Sequence, residues 1–203
     1  MTTAAHAAHR DDFGAKLGMW LFLVTEVNLF GGLFIAYAYM RHKYPGEFHA
    51  AGGQLNATLG IINTLVLLTS SLTVALAILE IQRGRPRVSR RFLAGTIALG
   101  ATFLVIKAFE WGAKFHHGLY PSSAHMTGLP LGEQVFFGLY FTMTGLHGLH
   151  VLVGIIVLSV IAQRVAQGRV TQNRHVLLDN GGLYWHLVDV VWIFLLPLLY
   201  LAA

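Results

Sequence analysis

A glutamate stands inside the apolar run LGMWLFLVTEVNLFGGLFIAYAYM, residues 17–40, with Glu26 near its centre. The run is long enough to cross a bilayer, because about 20 helical residues cover the roughly 30 Å hydrocarbon core. A carboxylate at that depth costs at least about 2.5 kcal/mol on insertion scales, so it must be neutralised, paired or wetted. Glu26 lies about 15 Å along the helix from Lys16 at 1.5 Å per residue, close to the midplane. Two readings are open. In one, a protonated carboxyl is hydrogen-bonded to a neighbouring helix; in the other, the group exchanges protons. Asn28 and the Gly31–Gly32 pair follow, and small residues there permit close helix contact.

A second polar constellation lies in TMTGLHGLHVLVG. His147 and His150 are three apart and share a helix face with Met143 and Gly154, while Gly138, Thr142, Gly145 and Gly148 fall on roughly the opposite face. That gives a small-residue side for tight packing and an imidazole side for polar contacts. Two imidazoles at this spacing can ligate a metal, but a buried histidine bonded to a carboxylate or carbonyl is the commoner arrangement. Glu26, on an antiparallel helix at similar depth, is a candidate partner for either one. In YWHLVDVVW, His186 and Asp189 form a further i, i+3 pair able to fix one another, with Asp189 about 10 Å into its helix. Tyr184, Trp185 and Trp192 are amphipathic, and those nearest the helix entry suit the interfacial belt. Lys107 and Glu110, also three apart, read as a snorkelling or ion-paired couple without a catalytic role.

Five apolar runs must position these groups: roughly 17–40, 55–81, 92–111, 134–163 and 182–203. Each should be a helix, because a span in lipid has to satisfy its own backbone hydrogen bonds. Barrel strands would alternate, and these runs do not. The expectation is an all-α polytopic bundle, one domain over residues 1–203. Composition agrees: 55% of the 203 residues are hydrophobic and 11% charged, with a mean hydropathy of +0.60. There is no cysteine, which excludes disulfides, thiolate metal sites and a cysteine nucleophile. The polar opening MTTAAHAAHRDDFGAK lacks the apolar core of a cleavable signal peptide.

Ten of the 14 basic residues fall at one end of the spans: Arg10, Lys16, Arg83, Arg85, Arg87, Arg90, Arg91, Arg164, Arg169 and Arg174. Arg41, Lys43 and Lys114 fall at the other. This asymmetry predicts a cytoplasmic N-terminus and a periplasmic C-terminus. The net charge of +5 therefore marks topology rather than nucleic-acid binding. The RGRPRVSRR turn is the main anchor, and its Arg83 and Arg85 are candidates for anionic lipid headgroups, as Trp185 and Trp192 are for a lipid cleft or interface.

Several enzyme readings fail on spacing. Neither Glu26 nor Glu110 opens the Glu-x-x-His of a di-iron bundle. There is no H-E-x-x-H helix, no G-x-S-x-G elbow and no phosphate-binding G-x-x-x-x-G-K-[ST] loop. A membrane cytochrome using His147, His150 or His186 as axial ligands stays open, as does a transporter built around Glu26.

LFLVTEVNLFGGLFIAYAY, INTLVLLTSS, KAFEWG, FFGLYFTMTGLHGLHVLVG and YWHLVDVVWIFLLPLLYL, in that order, resemble subunit III of haem–copper terminal oxidases. The family's acidic residue, H-G-L-H helix and closing W-H-x-x-D-V-V-W stand here at Glu26, His147, His150, Trp185, His186, Asp189 and Trp192. Longer members have two further helices before the first of these, so the chain looks like the five-helix bacterial form. The resemblance implies a multi-pass subunit of the bacterial inner membrane. Such a subunit carries no haem or copper itself, those belonging to its partners. It packs against catalytic subunit I, in a complex with subunit II and further small subunits. It also holds phospholipid in a cleft and supports proton uptake during oxygen reduction. Glu26 then matches the family's carbodiimide-reactive carboxyl. Relatives serve cytochrome c oxidases, ubiquinol oxidases and a nitric-oxide-reductase-associated protein; the Y-W-H-L-V-D-V-V-W ending looks most like the first.

Overall fold

The computed structural model describes residues 2–116, 118–120 and 123–201, with side chains described from residue 12 onward, Ala124 excepted. The elements are all helical: α1 Thr2–Lys43, α2 Pro45–Gly52, α3 Ala57–Gln82, α4 Pro86–His116, α5 Ala124–Thr127, α6 Leu131–Ala166 and α7 Val176–Leu196, continued by a π turn at Pro197–Leu201. Among the described residues, five segments are long and apolar enough to cross a membrane: Asp12–Lys43, Ala57–Gln82, Pro86–His116, Leu131–Ala166 and Val176–Leu201.

Local chemistry sets the boundaries. α3 starts where Asn56 Oδ1 accepts the Leu59 N–H at 3.1 Å, capping one orphan donor. α3 and α4 are joined by a turn in which Gly84 adopts φ 73°, open to glycine at little steric cost. α4 then opens on Pro86, whose missing N–H costs nothing in a first turn. The expected starts at 92 and 182 are thus corrected to Pro86 and Val176. Hydropathy marks the part of a helix inside the hydrocarbon, whereas the backbone ladder runs on into the polar residues beyond it. The short α2 and α5 lie between spans and are too brief for a periodic signal.

α3, α4, α6 and α7 close into a ring, each packed on the next and α7 back on α3, while α1 lies outside against α6 and α7. α1 buries Leu23, Phe30 and Tyr37, seven apart on one stripe. Its other faces leave Trp20, Val24, Val27 and Ile35 exposed, apolar surface suited to lipid or another subunit. Gly31 and Gly32 bring no neighbour close: a Cβ at either would meet nothing within 4 Å. Close approaches occur instead at Gly100 and Gly154, which flank the Trp185 indole. An added Cβ would lie 2.6 Å from the ring at Gly100 and 2.7 Å at Gly154. Gly154→Ala should therefore destabilise the chain by about 1–3 kcal/mol through overpacking. Gly138→Ala on the same helix, with open space around it, should be close to neutral. Thermal denaturation of the two variants in detergent compares them directly, and equal losses would contradict this packing.

Candidate functional site

α1 brings Glu26 to α6, where Glu26 Oε2 lies 2.8 Å from His150 Nε2. Both side chains are mostly covered, at 13% and 16% exposure. Both stand far from either end of their spans, 17 residues before Lys43 and 19 after Leu131, about 25 and 28 Å along the helices. Depth counted from the shared end therefore brings them together, as antiparallel neighbours require.

The second imidazole nitrogen constrains where the proton resides. His150 Nδ1 lies 2.7 Å from the Leu146 carbonyl, which only accepts, so Nδ1 carries hydrogen and donates there. The 2.8 Å contact then holds one proton, written either as a neutral acid donating to Nε2 or as an imidazolium donating to the carboxylate. Both forms are neutral as a pair and differ by moving one proton along the contact. A carboxylate at this depth is neutralised without isolating a charge, answering the cost that the sequence posed. Tyr184 donates from its hydroxyl to the His150 carbonyl at 3.0 Å, and Phe30 meets the imidazole edge-on at 5.4 Å. The arrangement can hold one proton between the two side chains.

His147 does not join the pair. It is fully buried, with Phe103 edge-on at 5.4 Å and Trp192 at 5.2 Å, and neither ring nitrogen has a hydrogen-bond partner among the described residues. On α7, His186 and Asp189 do not bond each other. His186 Nδ1 meets the Ser71 hydroxyl on α3 at 2.7 Å. The buried Asp189 carboxylate lies close to the same serine, but neither of its oxygens has a geometric hydrogen bond among the described residues. The three imidazoles therefore point at three different neighbours: Glu26, an aromatic cage and Ser71.

Trp185 and Trp192 are corrected from interface to core. Both are 0% exposed, with indole N–H groups donating to Ser70 Oγ and Thr64 Oγ1 on α3, each at 3.0 Å. α7 packs between α3 and α6 as a member of the ring, with α1 against it from outside, and its tryptophans fill the ring's centre. Their N–H groups find hydroxyls there, as buried indoles usually must. Lys107 and Glu110 are also interior, at 7% and 4% exposure, and form an ion pair rather than snorkelling. Lys107 Nζ donates to Glu110 Oε2 at 3.1 Å, Tyr200 Oη at 2.8 Å and Tyr140 Oη at 3.3 Å. The two tyrosine hydroxyls donate in turn to Glu110 Oε1 at 2.6 and 2.8 Å. The ammonium also lies 5.3 Å from the Trp192 ring centroid, within cation–π range. Arg83 and Arg85 close on Glu80, at 2.9 and 3.5 Å.

Sequence reading passed over Ser70, Ser71, Thr64, Tyr140 and Tyr200. Depth counting offered one signal. Lys107 is nine residues before the end of α4 and Tyr140 nine after the start of α6, so these antiparallel neighbours meet. Tyr200 gave none, because it arrives through the π turn, which inserts a residue and re-aims the side chains beyond it.

The sequence model described as cytochrome c oxidase subunit III matches residues 2–203. Cytochrome c oxidase subunit 3 of Thermostichus vulcanus is 34% identical over 97% of this chain and 90% of its own length. Cytochrome bo(3) ubiquinol oxidase subunit 3 of Pseudomonas aeruginosa is 32% identical over 96% and 88%. Haem–copper oxidase subunit I+III of Aeropyrum pernix is 30% identical over 92% of this chain, which spans 22% of that protein. The chain belongs to the cytochrome c oxidase subunit III family.

Proposed function

We propose that this member of the family is the non-redox subunit III of a bacterial cytochrome c oxidase, set in the inner membrane with its arginine-rich end in the cytoplasm. It stabilises the haem–copper subunit I, in a complex with subunit II, holds phospholipid and supports proton uptake during oxygen reduction. Haem and copper belong to the partners. The Aeropyrum pernix relative, whose name joins subunits I and III, supports the pairing with subunit I. The exposed apolar faces of α1 supply surface for that contact. A ubiquinol-oxidase complex is the second reading, favoured by the Pseudomonas aeruginosa relative. Purifying the complex and assaying oxygen consumption with reduced cytochrome c and with a quinol separates the two.

The observation that carries the proton role is the 2.8 Å contact between Glu26 and His150 deep in the bundle, since a carboxyl–imidazole pair that holds one proton at mid-membrane can exchange it. A hydrophobic carbodiimide reacts with a neutral carboxyl, so it reports that form of the dyad. Treatment of the purified complex should label Glu26, and Glu26→Gln should abolish the label with the complex still assembled. Peptide mapping reads the outcome. An unlabelled Glu26, or a Glu26→Gln complex that does not assemble, leaves a purely structural carboxyl. Metal analysis and an optical spectrum of the isolated chain test the cofactor assignment: stoichiometric haem on it, with a band lost in His147→Ala, identifies a cytochrome instead.

A further inference from the structure

Thr64, Thr69, Ser70 and Thr73 of α3 each return the hydroxyl hydrogen to a carbonyl three or four residues back, the usual way a hydroxyl is satisfied inside a helix. Ser71 stands among them without such a bond among the described residues. Its hydroxyl crosses to α7 instead, where it meets His186 Nδ1 at 2.7 Å. One turn further along α7, Asp189 is 3% exposed, and neither of its oxygens has a hydrogen bond among the described residues. Ser71 is the hydroxyl within its reach. The adjacent Ser70 is already occupied, accepting the Trp185 N–H and donating to the Leu67 carbonyl. Ser71 lies 14 residues after Ala57 and Asp189 12 before Leu201, about 21 and 18 Å from the shared end of these antiparallel helices. The group therefore sits deep in the membrane.

No cation among the described residues offsets Asp189. Lys107, the buried ammonium of the ring, places its donors on Glu110, Tyr140 and Tyr200, and His147 faces Phe103 and Trp192. An unpaired buried anion is costly, whereas a neutral carboxyl asks only for one acceptor for its O–H. Ser71 can be that acceptor. A serine hydroxyl has one hydrogen and two lone pairs, so donating to His186 Nδ1 leaves an acceptor site open towards Asp189. The far side of the imidazole leads outward. His186 is partly exposed, and its Nε2 has no hydrogen bond among the described residues. Leu68 of α3 and Val190 and Ile193 of α7, on the same helix faces, are exposed apolar side chains. The three groups thus span the α3–α7 wall from the ring's interior to its outer surface.

We propose that Asp189, Ser71 and His186 form a proton relay through the α3–α7 wall. At rest Asp189 donates to Ser71 Oγ, Ser71 donates to His186 Nδ1, and the imidazole hydrogen is on Nε2. In one step the Asp189 proton passes to Ser71 Oγ while the Ser71 proton passes to Nδ1. A carboxylate and an imidazolium result, each still bonded to the serine, and release of the Nε2 proton at the outer surface completes the transfer. Run backwards, the same moves return a proton to the carboxylate. The buried acid exchanges its proton in this way without water entering the ring. The i, i+3 spacing of His186 and Asp189 matters because it sets both side chains against one residue of α3, not because they touch. The relay lies on α3 and α7, away from Glu26 on α1 and His150 on α6, so it goes beyond the proposed function and does not depend on it.

Infrared spectroscopy of the full chain in lipid bilayers, with aspartate isotope-labelled at the carboxyl carbon, provides the test. The other aspartates, Asp11, Asp12 and Asp179, lie near the arginine-rich end, so a labelled neutral-carboxyl band reports Asp189. That band should be present at neutral pH, vanish in Asp189→Asn, and shift in Ser71→Ala, where the acid loses its acceptor. On transfer to heavy water it should move to the position of the deuterated acid. The His186→Gln chain, which keeps both the acid and the serine, should exchange at least about 100-fold more slowly, the low end for a positioned proton-transfer group. If Asp189→Asn does not fold, the isotope label assigns the band, and Ser71→Ala and His186→Gln carry the test. Absence of a labelled neutral carboxyl overturns the relay, as does a band that Ser71→Ala leaves in place. Equal exchange in the unaltered and His186→Gln chains overturns it too, leaving a hydrogen-bonded acid that reaches water by another route.

Discussion

Lys107→Met should destabilise the bundle by about 3–5 kcal/mol, because it strands a buried carboxylate rather than removing a surface contact. Glu110 is 4% exposed and receives three hydrogen bonds, from the Lys107 ammonium and the Tyr140 and Tyr200 hydroxyls. Lys107 in turn places its three donors on Glu110, Tyr140 and Tyr200. Deleting the cation leaves a buried carboxylate without its ion-pair partner, and the nearby Lys114 is already committed to the Gln54 carbonyl. Lys107→Met/Glu110→Leu should recover most of the loss, since an apolar pair of similar size is often no less stable than a buried ion pair. The recovery should be incomplete, because two tyrosine hydroxyls lose their acceptor. Unfolding equilibria of the single and double variants in mixed micelles measure this coupling. Additive losses would mean that the pair does not act as a unit.

That network shows where reading the sequence stops. The i, i+3 spacing of Lys107 and Glu110 was visible along one helix, and so was their mutual reach. Their burial was not, because it depends on Tyr140 of α6 and Tyr200 of the π turn arriving from other elements. Local spacing also placed His186 beside Asp189, whereas the imidazole bonds Ser71 across the bundle. The reverse holds for Glu26. Its depth in an apolar span demanded a neutral partner, and counting rise from the shared end of two antiparallel helices led to the H-G-L-H segment. Choosing His150 over His147 required the helix rotation, since His147 turns into the cage of Phe103 and Trp192.

The existence and order of the five spans were legible because the physical demand is crude: roughly 20 apolar residues with a self-satisfied backbone. Helix contacts were less so. In lipid, apolar character does not tell a packed face from an exposed one, since lipid tails are as apolar as leucine. Among the described residues nothing lies within 4 Å of a Cβ added at Gly31 or Gly32, an apparent contact motif, and Gly138 likewise has open space beside it. Gly154, one residue among many in the same helix, carries a close approach instead, an added Cβ lying 2.7 Å from the Trp185 ring. The tryptophans misled for the same reason, because an indole suits an interface and a core equally well until the identity of its N–H acceptor is known.

Trp185 is the residue on which that distinction is largest. Its ring enters between Gly100 of α4 and Gly154 of α6, and its N–H donates to Ser70 of α3 at 3.0 Å, so one side chain from α7 ties together the other three helices of the ring. Truncating a tryptophan in a soluble core costs about 3–5 kcal/mol. In lipid the separated helices keep their apolar surface out of water, so the transfer part is smaller and lost packing dominates. Trp185→Ala should therefore lie near the low end, about 3 kcal/mol. Trp185→Phe keeps most of the volume and removes the donor, and should cost about 1 kcal/mol, the usual worth of a hydrogen bond. If the Trp185–Ser70 bond accounts for that loss, Ser70→Ala in the Trp185→Phe background should add little, because the donor is already gone. The double-mutant cycle, followed by unfolding in mixed micelles, reads that coupling. A Trp185→Ala chain as stable as the unaltered one would show that the ring is held elsewhere, by the neighbouring Trp192 and the Lys107 network that it covers.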